Sequence, residues 1–350
     1  MTINKQNPKK LKLLMLTDGN FDHASARIRA IQYIPMLEAS GYSVKLIPRV
    51  AVKSTNLIRK YIIFPMMKRL LWLNRISAIW FFHWDIVFVQ RLFIDKFSLR
   101  RLKAGSKLIY DFDDAIYIDG ANHRAVKNAA NMIQFAHKVI ISTPMLNDFC
   151  EKYGKDAIVI PTPIESDIIQ PSHKKQENVP VIGWIGSSWT TPYLDLITPV
   201  LQKLSEKVAF EFLTVGVNSG YLAPGVNHKN LPWELGIEAI ALPSMDIGIM
   251  PLLTNEYAKA KGGYKLYLYM SAGIPCVASP VGINNQIIKH GENGFLANSQ
   301  SEWYECLKIL LNDKALRIKM GVNGRAQAVK LYDRKVCFSK FIKTIEETKI

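Results

Sequence analysis

The sequence predicts an α/β chain built from two Rossmann-like domains, and three observations carry that reading. Short apolar runs at 11–17, 42–48, 85–90, 107–111, 136–142 and 158–160 alternate with helical or turn segments, the pattern of a doubly wound sheet. A polar stretch bearing two prolines, 166–180, reads as a linker, and the strand pattern starts again at Val181. At 350 residues and 49% hydrophobic content the chain is long enough for two separate cores. The expected domains are 1–165 and 178–333, followed by a last helix at 334–350.

The bulk properties narrow the function. A net charge of +16 calls for an anionic partner: nucleic acid, a membrane surface or a phosphorylated ligand. The four cysteines are scattered, with neither metal-type nor redox-type spacing, as expected of small core residues in a reducing compartment. The opening residues read as a polar tail and a first strand, without the pattern of a signal peptide.

In the first domain, strand 11–17 is followed by an Asp18-Gly19-Asn20 turn. A helix capped by Ser25 then runs to Ser40-Gly41. This is not the G-x-G-x-x-G fingerprint, so a nicotinamide or flavin cofactor is not expected. Residues 51–84 differ from the rest. They carry Lys68, Arg69 and Arg75 among Trp72, Trp80, Phe81, Phe82 and other apolar residues, with no acidic side chain. The charges interrupt the apolar run, which argues against a membrane-spanning helix. Basic and aromatic residues together suit a helix lying in the surface of an anionic membrane, where each Lys or Arg adds roughly 1 kcal/mol. The plainer reading is a buried amphipathic helix with its basic side in water. Lys68, Arg69, Trp72 and Arg75 are the expected membrane contacts.

Strand 107–111 ends in Asp111-Phe112-Asp113-Asp114. A D-x-D pattern can hold a divalent metal, but it is short and common by chance, and no metal is expected here. A carboxylate at a strand's carboxyl end can orient a hydroxyl or take its proton. It can equally cap a helix or pair with Arg27 or Arg29. Asp113 and Asp114 are the candidate catalytic residues, and His123 lies nearby in a polar loop.

In the second domain, strand 181–186 leads into Ser187-Ser188, and 210–215 is the next strand. The most informative stretch is 245–294. An apolar strand ends at Pro251, and a loop with Lys261, Gly262 and Gly263 opens a helix over 264–271. Ala272-Gly273 stops that helix before a short buried strand at 274–278. A glycine-rich, lysine-bearing loop at a strand's carboxyl end is where an open α/β sheet binds phosphate.

These segments resemble the retaining glycosyltransferases of family 4. The resemblance rests on Gly248-Ile249-Met250-Pro251-Leu252, Lys261, Lys265, the run from Tyr269 to Gly282, the run from Gly291 to Ala297, and Trp303. In the first half it rests on the runs from Ser25 to Arg29 and from Asp111 to Tyr117, and at the start of the second on Gly183 to Ser187. The resemblance implies the GT-B fold, two Rossmann-like domains facing across a cleft, with the nucleotide-sugar on the C-terminal domain, the acceptor on the N-terminal one, and the last helix, 334–350, returning to the N-terminal domain. It implies transfer with retention, without metal or other cofactor. Lys261 and Lys265, four positions apart, are then expected on one helical turn facing the donor diphosphate, whose negative charge grows as the sugar leaves. Gly263 and Gly19 are expected to let backbone approach the diphosphate, and Ser187 and Ser188 to offer hydroxyls; ordinary turn duty explains Gly19 and the two serines equally well. Arg27, Arg29 and His123 are assigned to the acceptor side. One departure stands out: the paired glutamates of the family's E-x7-E motif fall on Ala260 and Leu268.

The favoured expectation is a hexosyltransferase-type enzyme, cytoplasmic and peripheral on the inner face of the cell membrane. It extends a glycan or polyprenyl-linked acceptor in cell-surface polysaccharide synthesis. A nucleotide-sugar epimerase and a non-catalytic GT-B-like binding subunit are the alternatives. Nucleic-acid binding rests on charge alone and is set aside.

Overall fold

Residues 10–49, 63–118, 123–171, 179–217, 221 and 223–349 are described in this computed structural model. Residues 51–62 of the basic aromatic segment and the side chain of His123 lie outside them. The chain forms two units, one of residues 1–161 and 338–350, the other of 162–337.

The first unit runs β1 (Leu11–Thr17), α1 (Ala24–Arg29), α2 (Ile34–Ala39), β2 (Tyr42–Pro48), α3 (Phe64–Phe81), β3 (Ile86–Gln90), α4 (Lys96–Gly105), β4 (Lys107–Phe112), α5 (His123–Phe135), β5 (Lys138–Ile141), α6 (Asn147–Glu151) and β6 (Ile158–Val159). Its parallel sheet has the order β2-β1-β3-β4-β5-β6. All five residues of β3 are buried, as a strand covered on both faces requires. The single helix expected from Ser25 to Ser40 is broken into α1, a 3-10 turn at Ile31–Tyr33 and α2. Pro35, in the first turn of α2, has no N–H to continue the ladder from α1. Ser25 does not cap α1. His23 does, its ring accepting from the Ala26 N–H, and this frees the Ser25 hydroxyl for other work.

The second unit runs β7 (Val181–Ile185), α7 (Thr198–Ser205), β8 (Glu211–Val215), β9 (His228–Leu231), α8 (Ile237–Ala241), β10 (Ile247–Met250), α9 (Glu256–Lys259), α10 (Tyr264–Ser271), β11 (Cys276–Ala278), α11 (Asn284–Ile287), β12 (Gly294–Leu296), α12 (Gln300–Asn312), α13 (Lys314–Tyr332) and the start of α14 (Arg334–Lys349). Its parallel sheet has the order β12-β11-β10-β7-β8-β9. One core holds α10 and another holds α7 and α12, so both faces of the sheet are covered.

The units divide at 161/162 and 337/338, whereas 165 and 334 were the expected edges of the first domain and 178 the expected start of the second, and the reason is local. Ile164 exchanges backbone hydrogen bonds with Tyr332 and Arg334. Arg334 also pairs with Glu165 at 2.6 Å and with Asp167 at 3.2 Å. These contacts hold 164–167 and 332–334 together within the second unit. Beyond them, Phe338 and Phe341 of α14 pack on Tyr33 and belong to the first unit.

Candidate active site

In a parallel sheet the strand order reverses at one point, and the crevice outside the carboxyl ends there is the natural ligand site. In the second unit that point lies between β7 and β10. Lys265, from the first turn of α10, reaches it. Its ammonium lies 4.0 Å from the ring centroid of the fully buried Trp184 on β7, and donates to the Thr190 hydroxyl at 3.4 Å. The indole face attracts the cation while excluding water from it. Burial first, then the neighbouring charge of Lys261, hold the Lys265 ammonium well below the usual lysine range. The residue as a whole keeps some exposure. No carboxylate pairs with it among the described residues. A desolvated cation in this position is chemically ready for an anion.

Two features fix its place. Tyr269, one turn along α10, accepts from the Ile185 N–H at 3.0 Å and donates to the Ile249 carbonyl at 3.3 Å, tying the helix to the ends of β7 and β10. Gly186, just after β7, makes room: a Cβ there would sit 2.6 Å from the Lys265 ammonium and 2.5 Å from the Trp184 ring. Trp184, Thr190 and Gly186 were not among the expected site residues. Their partner is remote in sequence, and only the strand order brings them to it.

The other expected donor residues sort as follows. Ser187 and Ser188 lie at this edge with exposed hydroxyls that have no partner among the described residues. Lys261 is outside α10, in the turn after α9, because Gly263 adopts a left-handed conformation (φ +72) that ends any helix running in from α9. The two lysines therefore do not share a helical turn, although the charge of Lys261 reaches Lys265. Lys261 lies 4.7 Å over the Tyr257 ring. Gly263 is buried, and a Cβ there would fall 2.3 Å from Ile287, so internal packing demands the glycine. Ala260 and Leu268 are both buried, and Leu268 belongs to the hydrophobic core.

In the first unit the reversal lies between β1 and β3, and a polar network spans it. Arg91 follows β3 with a left-handed backbone (φ 56), unique among described non-glycine residues. Its guanidinium donates to Asp113 at 3.0 Å and to Asp114 at 3.1 Å. The Ser25 hydroxyl donates to Asp113 at 2.7 Å and accepts from the Gln90 amide at 2.8 Å. Burial pushes the Asp113 carboxyl up, but Arg91, Arg29 and the Ser25 hydrogen bond outweigh it and hold the group below the usual range. A carboxylate held this way orients donors well and takes up a proton poorly at neutral pH. Gly19 is buried, and a Cβ there would meet the His23 side chain at 2.2 Å, so packing within the turn accounts for it.

Arg29 takes the pairing with the acidic cluster that the sequence left open, and not the acceptor side. It is 3% exposed, and both oxygens of the equally buried Asp111 accept from it, at 2.9 and 2.5 Å. Arg29 is thus a structural ion-pair partner, out of reach of an acceptor, and it occupies the first carboxylate of the D-x-D run. Arg27 remains partly exposed, donating to the Phe21 carbonyl at 2.9 Å. Among the described residues no group of His, Cys, Asp and Glu forms a metal cluster. His123 opens α5.

On α3, Lys68, Arg69 and Trp72 are exposed, together with Met66, Leu70 and Leu73. Arg75 departs from this group: it is half-buried, and its Nε is enclosed without a hydrogen-bond partner.

Comparison with known proteins matches this architecture. Residues 179–313 match the family described as glycosyl transferases group 1. A search of curated proteins finds no match. Among solved structures, sucrose-phosphate synthase from Thermosynechococcus elongatus superimposes with a TM-score of 0.73 at 11% identity, over 97% of this chain and 99% of that one. A glycosyltransferase from Rickettsia africae gives 0.72 at 14% identity, over 97% and 98%. Anabaena HepE in complex with UDP and glucose gives 0.67 at 15% identity, over 96% and 100%. Residues 179–313, which include Lys265, thus match glycosyl transferases group 1, and the chain shares the GT-B fold of these solved structures.

Proposed function

We propose that the chain moves a sugar from a nucleotide-sugar donor, with retention, to a glycan or lipid-linked acceptor in cell-surface polysaccharide synthesis. The observation that carries this is the Lys265 ammonium, desolvated over Trp184 and without a carboxylate partner among the described residues, at the reversal point of the second sheet. The donor leaves as a nucleoside diphosphate, and a fixed cation aimed at the diphosphate stabilises the charge that builds there without reorganising. HepE, similar in fold, has been captured with UDP and with UDP-glucose, which supports a uridine nucleotide as the first donor to try. The test is a panel of nucleotide sugars scored by thermal shift and turnover. Lys265→Ala is expected to cut turnover roughly a hundredfold or more while the protein stays folded. Wild-type turnover in that variant would remove the diphosphate role.

Ala260 and Leu268 favour a second reading, a non-catalytic binding subunit, since neither side chain can accept a hydrogen bond from a sugar or ribose. Tight nucleotide-sugar binding with neither transfer nor hydrolysis would select it.

We also propose that α3 and α4 rest on an anionic membrane surface. No helix among the described residues is long and apolar enough to cross a membrane. The exposed face of α3 nonetheless carries Met66, Leu70 and Leu73 at helical spacing, with Trp72 beside them and Phe81 81% exposed. Trp80 stacks on Phe97 of α4, itself 71% exposed, which extends the patch to a helix that the sequence reading had passed over. Lys68, Arg69, Lys96 and Arg100 surround it with positive charge. Co-sedimentation with anionic vesicles is expected, falling with salt and with Leu70→Ser/Trp72→Ser/Phe97→Ser. Equal binding to neutral vesicles, or none to either, would rule against it.

A further inference from the structure

Along the carboxyl edge of the first sheet, two arginines are left over once the Asp113 network is accounted for. Arg49 follows β2, its backbone N–H donating to the Thr17 carbonyl at 2.7 Å. Its guanidinium pairs with Asp18 at 2.9 Å, yet the Arg49 side chain stays 65% exposed. Arg75 comes from the other direction, off the inner face of α3, with an enclosed Nε that finds no acceptor among the described residues. Burial first, then the charge of Arg49, lower the Arg75 guanidinium from its usual range, and Asp18 only partly offsets them. Asp18 pairs with Arg49 and only its charge reaches Arg75, whose buried Nε lacks a partner among the described residues. Such a donor is stable only when something supplies the missing oxygen.

We propose that Arg49 and Arg75 bind a phosphate-type anion carried by the acceptor substrate. This inference rests on the glycosyl-transfer reading and names the chemical class of its second substrate. The planar guanidinium forks match the oxygens of a phosphate, and the anion supplies both the missing acceptor at Nε and the missing charge. The position agrees: Asp18 and Gly19 follow β1, one of the two strands at the reversal point, and Arg49 follows the neighbouring β2. The same helix that offers Arg75 inward offers Leu70 and Leu73 outward. A phosphate borne on a lipid is thus one source of the anion, and a soluble phosphorylated glycan the other.

The experiment is calorimetric titration of the full chain with farnesyl phosphate, inorganic phosphate and farnesol, in the presence of saturating UDP. Arg75→Gln and Arg49→Gln are each expected to weaken farnesyl phosphate binding at least tenfold, and Arg75→Lys to recover part of the loss. Arg49 is exposed, so its variant keeps the test meaningful should Arg75→Gln fold poorly. A strong preference for farnesyl phosphate that farnesol does not share assigns the anion to a lipid. Equal binding of inorganic phosphate assigns it to a soluble substrate. Undiminished binding in both Gln variants, or none in the wild type, overturns the proposal. UDP binding is read separately: its absence removes the glycosyl-transfer reading, whereas loss of the arginine effect alone removes only this site.

Discussion

Lys265 is a cation kept short of both water and counter-charge, and its behaviour with pH follows from that. Burial and Lys261 lower its pKa in the free protein. A bound diphosphate favours the ammonium and raises it again. Between the lowered and the restored value, part of the free protein carries neutral Lys265, so binding takes up a proton. Nucleotide affinity is therefore expected to fall as pH rises through that window. Titrations in two buffers of different ionisation enthalpy will reveal the uptake, and equal heats in both would contradict it. Lys261 was legible as a candidate from its place in a glycine-rich loop, and Lys265 from the family resemblance. The indole beneath Lys265 was not, because a cation–π contact between remote residues leaves no local pattern. Arg29 had two readings, an acceptor contact and a partner for the acidic cluster, and burial against Asp111 selects the second.

At the scale of elements, the α9–α10 connection decides where the Lys265 ammonium points. The bounds of α10 could be read directly, from glycines on both sides and an apolar run between them. The left-handed turn at Gly263 and the Ile287 side chain in its Cβ position could not. Gly263→Ala combines a positive φ with a clash, and is expected to destabilise the second unit by roughly 2–4 kcal/mol. Urea denaturation checks this, and a change within 0.5 kcal/mol would contradict the packing argument. For α3, composition marked a helix with mixed basic and apolar character. Which face meets solvent depends on what packs beneath, and the exposed face carries much of the apolar side. The length of α1 was misjudged because hydrophobic spacing runs on through Pro35, where the backbone ladder does not.

At the scale of the whole molecule, the last helix completes a core begun at the other end of the chain. Phe341 is buried, its ring centroid 4.9 Å from that of Tyr33 and 5.1 Å from that of Phe88. Phe341→Ala is expected to cost the first unit about 3–5 kcal/mol, while leaving nucleotide affinity in the second unit intact. Calorimetry with and without UDP separates the two effects, and a loss of UDP binding would refute the independence. The two α/β units, most strands and the lysine loop followed from the chain alone, since they rest on local periodicity, turn chemistry and caps. The order of the strands did not. That order sets β7 beside β10 and β1 beside β3, and so assembles Trp184 with Lys265 and Ser25 with Asp113. It is settled by packing between segments remote in sequence, which tertiary structure alone decides.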